Sequence, residues 1–234
     1  MIRLDGQFPT TRWTLVLGAA TGELRGEAMQ WLCEHYWQPI YAYVRRRGHD
    51  PSQAQDLTQG FLIQFLEKRS IESAHPDRGR FRSYLLGALK YFLADRHDFQ
   101  QAAVRGGAAT FLPLSFPEGE ELYLQSPQNL SPDALYERHW ALSVIERVLN
   151  LMHAEQEAMG KARQFQELRS FLTGDEDYRA AAAALGMSDG AIRVAVHRLR
   201  RRYRDLLVAE IADTVSSSAD VDEEIHHLIN ALSR

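Results

Sequence analysis

The sequence predicts an all-α fold: two small helical domains joined by a flexible linker, with a short helical extension after the second. Three observations carry that expectation. Apolar residues recur at helical spacing nearly throughout, while the alternating Val, Ile and Thr runs of strands are almost absent. A stretch rich in Gly and Pro, residues 105–131, interrupts the pattern and places a domain boundary. Beyond it a second helical block runs on into an acidic tail.

The first block, residues 1–104, holds helix candidates at Gly26–Arg47, Pro51–Lys68 and Phe81–Gln101. Turn formers at Gly48-His49-Asp50-Pro51 and His75-Pro76-Asp77-Arg78-Gly79 separate them. Pro51 falls near a helix start, where a missing N–H costs little. The linker contains Gly106, Gly107, Pro113, Pro117, Gly119 and Pro127. In the second block, residues 132–212, Ser131 precedes a helix from Pro132 to Gln156, and another spans Lys161–Leu172. A short helix, Tyr178–Leu185, is followed by the turn Gly186-Met187, and Ser188 caps a long helix to Ala212. In the extension, residues 213–234, Val221, Ile225, Leu228, Ile229 and Leu232 lie at helical spacing after a Ser-Ser-Ser stretch.

The chain has 234 residues, 45% of them apolar and 25% charged, as expected of a globular protein. No apolar run approaches the roughly 18 residues of a membrane span. The opening Met1-Ile2-Arg3-Leu4-Asp5 offers no signal-peptide core, so a cytoplasmic protein with no membrane partner is expected. The one cysteine, Cys33, fits a reducing compartment and reads as a small buried apolar residue. The net charge of −4 conceals an asymmetry. Ser188–Arg204 carries six arginines and one aspartate, whereas Asp205–Arg234 carries seven acidic residues and one arginine. The acidic tail then has two expected roles: a competitor folded on the arginine face, or a helix packed on the second block or on a partner.

The strongest motif is Tyr178–Tyr203. A helix-turn-helix needs a small residue where its helices cross, a glycine in the turn, and an apolar inner face on the second helix. Ala182, Gly186, and the set Met187, Ile192, Ala195, Val196 and Leu199 meet those needs. Arg193, His197, Arg200, Arg201 and Arg204 point outward, flanked by Arg198 and Arg202, as a helix entering a phosphate-lined groove requires. Ser188 at the N-cap leaves helix N–H groups for a phosphate.

With those residues in place, Tyr178–Tyr203 resembles region 4 of the extracytoplasmic-function (ECF) sigma factors. The resemblance implies that this domain reads a −35 promoter element and touches the flap of RNA polymerase. Ser188, Arg193, His197, Arg198 and Arg201 are its candidate DNA contacts. Gln53-Ala-Gln-Asp-Leu-Thr-Gln-Gly-Phe-Leu62 resembles region 2 of the same family, which implies that Asp56, Gln59, Phe61 and Leu62 dock on core RNA polymerase. Phe81–Arg96 is similar to the helices that open and read the −10 element. Tyr84 and Tyr91 suit stacking on unpaired bases, and Arg82, Lys90 and Arg96 suit holding the strand backbone. The resemblance spans roughly Gln30–Leu207, and the opening and the tail fit a subgroup with a C-terminal extension. Tyr84 stands where the family often has Trp, and Ala195 where a basic residue is frequent. The expected partners are core RNA polymerase and promoter DNA, with an anti-sigma factor or other regulator as a further partner the family allows.

Enzyme chemistry is not expected, nor a cofactor or metal. The pairs His49-Asp50 and His97-Asp98 lack the further spaced ligands that a metal centre needs, as does His226-His227. No phosphate-binding glycine loop or Gly-x-Ser-x-Gly turn occurs. The competing reading is a two-domain helix-turn-helix regulator that binds an operator without acting as a sigma factor.

Overall fold

The computed structural model describes residues 25–67, 80–100, 114–172, 174, 177–212, 214–215 and 220–234. Among these, every regular element is helical and no strand occurs. The helices are α1 (Arg25–Arg46), α2 (Pro51–Glu67), α3 (Phe81–Gln100), α4 (Phe116–Leu124), α5 (Pro132–Ala158), α6 (Ala162–Leu168), α7 (Tyr178–Leu185), α8 (Asp189–Ala212) and α9 (Asp220–Leu232). A 3₁₀ turn, Arg169–Leu172, follows α6. None of the described helices is long and apolar enough to cross a membrane.

Local chemistry sets the helix starts. Asp50 and Gln53 form a reciprocal capping box ahead of α2. The Gln53 N–H donates to Asp50 Oδ1 at 2.9 Å, and the Asp50 N–H donates to Gln53 Oε1 at 3.3 Å. Ser131 Oγ accepts from the Ala134 N–H at the head of α5.

Two compact units result, one within residues 1–143 and 211–234, the other within 144–210. The first unit has an aromatic core. Trp31, Tyr36 and Phe81 meet edge to face with ring centroids 5.3–5.5 Å apart, and Phe61 packs on Phe65 and Phe92 at 5.6 and 5.5 Å. Such pairs add to the burial of large apolar surfaces. Cys33 lies in this core as expected. Burial, then the charge of Glu34, pushes its thiol up to about 11, so the reactive thiolate is scarce at neutral pH.

Two expectations need correction here. The flexible linker does not hold over residues 114–131, since Phe116–Leu124 is helical and packed (residues 105–113 lie outside the described residues). Pro117 sits in the first turn of α4, where it is tolerated. Gly119 lets α4 approach α1, since a Cβ there would come within 2.6 Å of the Trp37 ring. The Arg45 guanidinium grips Glu120 with two hydrogen bonds of 2.7 Å, and the Tyr41 hydroxyl donates to the same carboxylate at 2.6 Å. The Arg45 hydrogen bonds, aided by the Tyr41 hydroxyl and opposed by burial, hold that carboxyl below its usual range. The second correction concerns the acidic tail. α9 is grouped with the first unit and not with the second block, and buries Val221, Glu224, Leu228 and Ala231.

Two outcomes follow from this packing. Gly119→Ala should lower stability by about 1–3 kcal/mol through overpacking on Trp37, more than the roughly 1 kcal/mol helix-propensity gain, as read by thermal melting. His139 is buried and shares a 2.9 Å hydrogen bond with Ser126 Oγ. Burial, then Arg138 and Arg46, lowers its pKa from 6.5 to about 4. Between those values the unfolded chain binds a proton that the fold refuses. Stability should therefore fall by up to about 1.4 kcal/mol per pH unit as pH drops through that window, and His139→Gln should flatten the slope.

Candidate nucleic-acid interface

The second unit joins α7 to α8 through a tight turn, built from its caps inward. The Asp177 carboxylate accepts from the Arg179 and Ala180 N–H groups at 3.1 and 3.0 Å, starting α7. Gly186 ends it in the left-handed region at φ 63°, and the Met187 N–H donates to the Ala182 carbonyl at 3.0 Å. Two residues on, Ser188 Oγ accepts from the Ala191 N–H and starts α8. Ala181 and Ala182 are buried against Ile192, Val196 and Leu199, with Phe165, Leu168 and Phe171 completing the core. Alanines at the crossing let the two helix backbones come close, which fixes the angle of α8.

α8 presents Arg193, His197, Arg198, Arg201 and Arg204 to solvent. The Arg193 guanidinium lies 4.4 Å from the centroid of the Tyr178 ring, a cation–π contact that orients it. Among the described residues no carboxylate pairs with Arg193, Arg198, Arg201 or Arg204. Two arginines of the same stretch serve the fold instead. Arg200 donates to the Phe171 carbonyl at 2.9 and 3.1 Å, and Arg202 pairs with Glu155. Local Arg density could not separate these two from their neighbours, because the partners come from α5 and the 3₁₀ turn.

In the first unit, α3 exposes Ser83, Gly87, Lys90, Tyr91, Ala94 and Asp95. Tyr91 is 74% exposed, its ring open to a stacking partner. Tyr84 is half-buried, 6.1 Å from the Phe65 ring. Lys90 forms an exposed ion pair with Asp133. The Arg96 side chain lies outside the described residues. Arg82 departs from expectation. It is 3% exposed, bonded to Glu224 at 2.6 and 3.1 Å, paired with Glu137, and 4.8 Å from the Trp140 ring centroid. It is therefore not open to a strand in this conformation. Its place beside Leu85, Leu86 and Leu89 on the core stripe of α3 was the available signal.

On α2, Asp56 is exposed and Gln59 half-buried. Phe61 and Leu62, expected to touch polymerase, instead lie in the core at 2% and 0% exposure. Their part in any docking is to hold the helix that carries Asp56.

Residues 32–101 match the family model described as sigma-70 region 2. None of the curated proteins and none of the solved structures matches the chain. The match covers α2 and α3 and the greater part of α1, the elements that bear Asp56 and Tyr91. It supports a sigma factor's role in promoter recognition, and proteins with this region are transcription initiation factors rather than enzymes.

The geometry of α8 separates two kinds of arginine. Arg201→Ala should weaken binding to duplex DNA and reduce the dependence of log K on log salt by about one, with the melting temperature little changed. Arg200→Ala should lower the melting temperature, since it leaves the Phe171 carbonyl without that donor. Salt-titrated anisotropy beside thermal melting distinguishes them.

Proposed function

We propose that this protein is a sigma factor of the ECF type, with a region 2 in the first unit and a region 4 in the second. One observation carries the reading. A single chain holds a region 2 match and, after it, a helix-turn-helix whose second helix exposes arginines. In this reading α2 docks on core RNA polymerase through Asp56 and Gln59. α3 meets the opened −10 strand with Tyr91, Tyr84 and Lys90, and Arg96 follows on the same helix. α8 enters the −35 major groove with Arg193, His197, Arg198 and Arg201, while Ser188 and the N–H groups it caps approach a phosphate.

The chemistry is binding throughout. An exposed tyrosine supplies a π-face for a base that has left the stack, a contact of about 1–3 kcal/mol. The arginines of α8 supply the salt-dependent affinity for duplex, and their spacing sets how the helix lies in the groove. Asp56, exposed on a helix anchored by Phe61 and Leu62, offers a charge to a basic partner surface.

Binding of the purified protein to bacterial core RNA polymerase tests the reading. Wild type should bind tightly, and Asp56→Arg should weaken binding by tenfold or more, about 1.4 kcal/mol, with an unchanged melting temperature. Wild-type protein that ignores polymerase yet holds duplex DNA would overturn the sigma reading in favour of an operator-binding regulator.

A further inference from the structure

The arginines at the head of α3 are engaged by one short segment of the chain. Arg82 Nε and Nη2 donate to the two oxygens of Glu224 at 2.6 and 3.1 Å, and Arg80 Nε lies 2.8 Å from Glu224 Oε2. Arg80 also reaches Glu223 at 2.9 Å. One carboxylate is thus held by two guanidinium groups, and a second stands beside it. Two arginines converging on one group with oxygens at hydrogen-bond distance is also how proteins hold a phosphate. Glu224 is 1% exposed and Arg82 3%, so the site is closed while α9 is seated. Burial opposes the charge of Arg82, but the Glu224 hydrogen bond and both carboxylates outweigh it, so its pKa moves up and it stays cationic.

What seats α9 is modest in extent. Val221, Leu228 and Ala231 are buried along one side of a 13-residue helix, and Arg138 bonds the Leu232 carbonyl. Its first turn carries Asp220, Asp222 and Glu223, placing negative charge beside the arginine pair. When α9 leaves, Glu137 remains to pair Arg82, so release does not strand a buried cation.

We propose that Arg80 and Arg82 form a phosphate-binding site which Glu224 occupies in cis. α9 is then an autoinhibitory cap that nucleic acid must displace to reach the head of α3. The proposal rests on the reading of α3 as the helix that meets single-stranded DNA. A cap of this kind lowers apparent affinity by the fraction of molecules in which it is open.

The test measures binding of the full chain to a fluorescein-labelled oligothymidine strand at low and at raised salt. Glu224→Gln should raise affinity about tenfold. Asp222→Asn, the same charge change two residues away on the exposed side of α9, should alter it less than about twofold. The gain should vanish when Arg80 and Arg82 are replaced by Gln together with Glu224. Equal effects of Glu224→Gln and Asp222→Asn, or a lower melting temperature with no gain in affinity, would overturn the cap and leave Arg82 as a structural tie. Should Glu224→Gln fail to fold, Glu223→Gln replaces it, its carboxylate being 74% exposed. It should give a gain of about two- to threefold, and no gain overturns the cap. Tyr91→Ala reports on the underlying reading. If it leaves strand binding unchanged, the strand-holding role of α3 fails and the cap falls with it. If it weakens binding while Glu224→Gln gives no gain, the cap alone fails.

Discussion

The first unit depends on one buried guanidinium. Arg82 on α3 meets Glu137 and Trp140 on α5 and Glu224 on α9, and its carbonyl accepts from the Tyr136 hydroxyl at 3.1 Å. Three helices distant in sequence are thereby joined at one side chain. Such a tie is worth little as net stability, because desolvating the charges offsets most of their attraction. It is costly to break from one side, and it is selective: α9 must present a carboxylate at this point. Apolar spacing alone would let that helix slide or dock elsewhere.

The same constraint explains why the region 2 elements need the later parts of the chain. α3 has a core face of Phe81, Leu85, Leu89 and Phe92 and an exposed face carrying Lys90 and Tyr91. Arg82 lies on the first of these, and its charge has to be answered there. α4 is held to α1 by a comparable device, Arg45 and Tyr41 on Glu120, with Arg46 bonding the Pro127 and Gln128 carbonyls. In both places a cation on a region 2 helix captures a segment from outside the matched range.

Much of this was legible in the sequence. Helix positions follow from apolar spacing and from start and stop residues that the sequence displays directly: Pro51, Ser131, Gly186 and Ser188. Those signals are local, so a short window contains them. The turn between α7 and α8 was legible for the same reason, since Ala182 and Gly186 fulfil steric requirements within one turn of each other. α4 was hidden because Pro117 and Gly119 resemble breakers. One is harmless at a helix start, and the other is required by Trp37, a residue of α1. The destination of α9 was hidden too. Its apolar stripe showed that it packs but not on what, and the six arginines of α8 made a nearer target by charge count than Arg82. Phe61 and Leu62 were placed at a docking surface because motif position does not distinguish a residue that touches a partner from one that supports it.

The separation between Arg82 and Glu224 is 142 residues. A ribosome adding roughly 5–20 residues per second takes on the order of ten seconds or more to deliver the second after the first. Once enough further chain has been made for α3 to leave the ribosomal tunnel, it stands for the rest of that interval without Glu224 on its arginine pair. The nascent chain therefore passes through a stage whose surface charge differs from that of the finished protein, and the order of synthesis alone dictates that the cationic side of this contact is made before its anionic side.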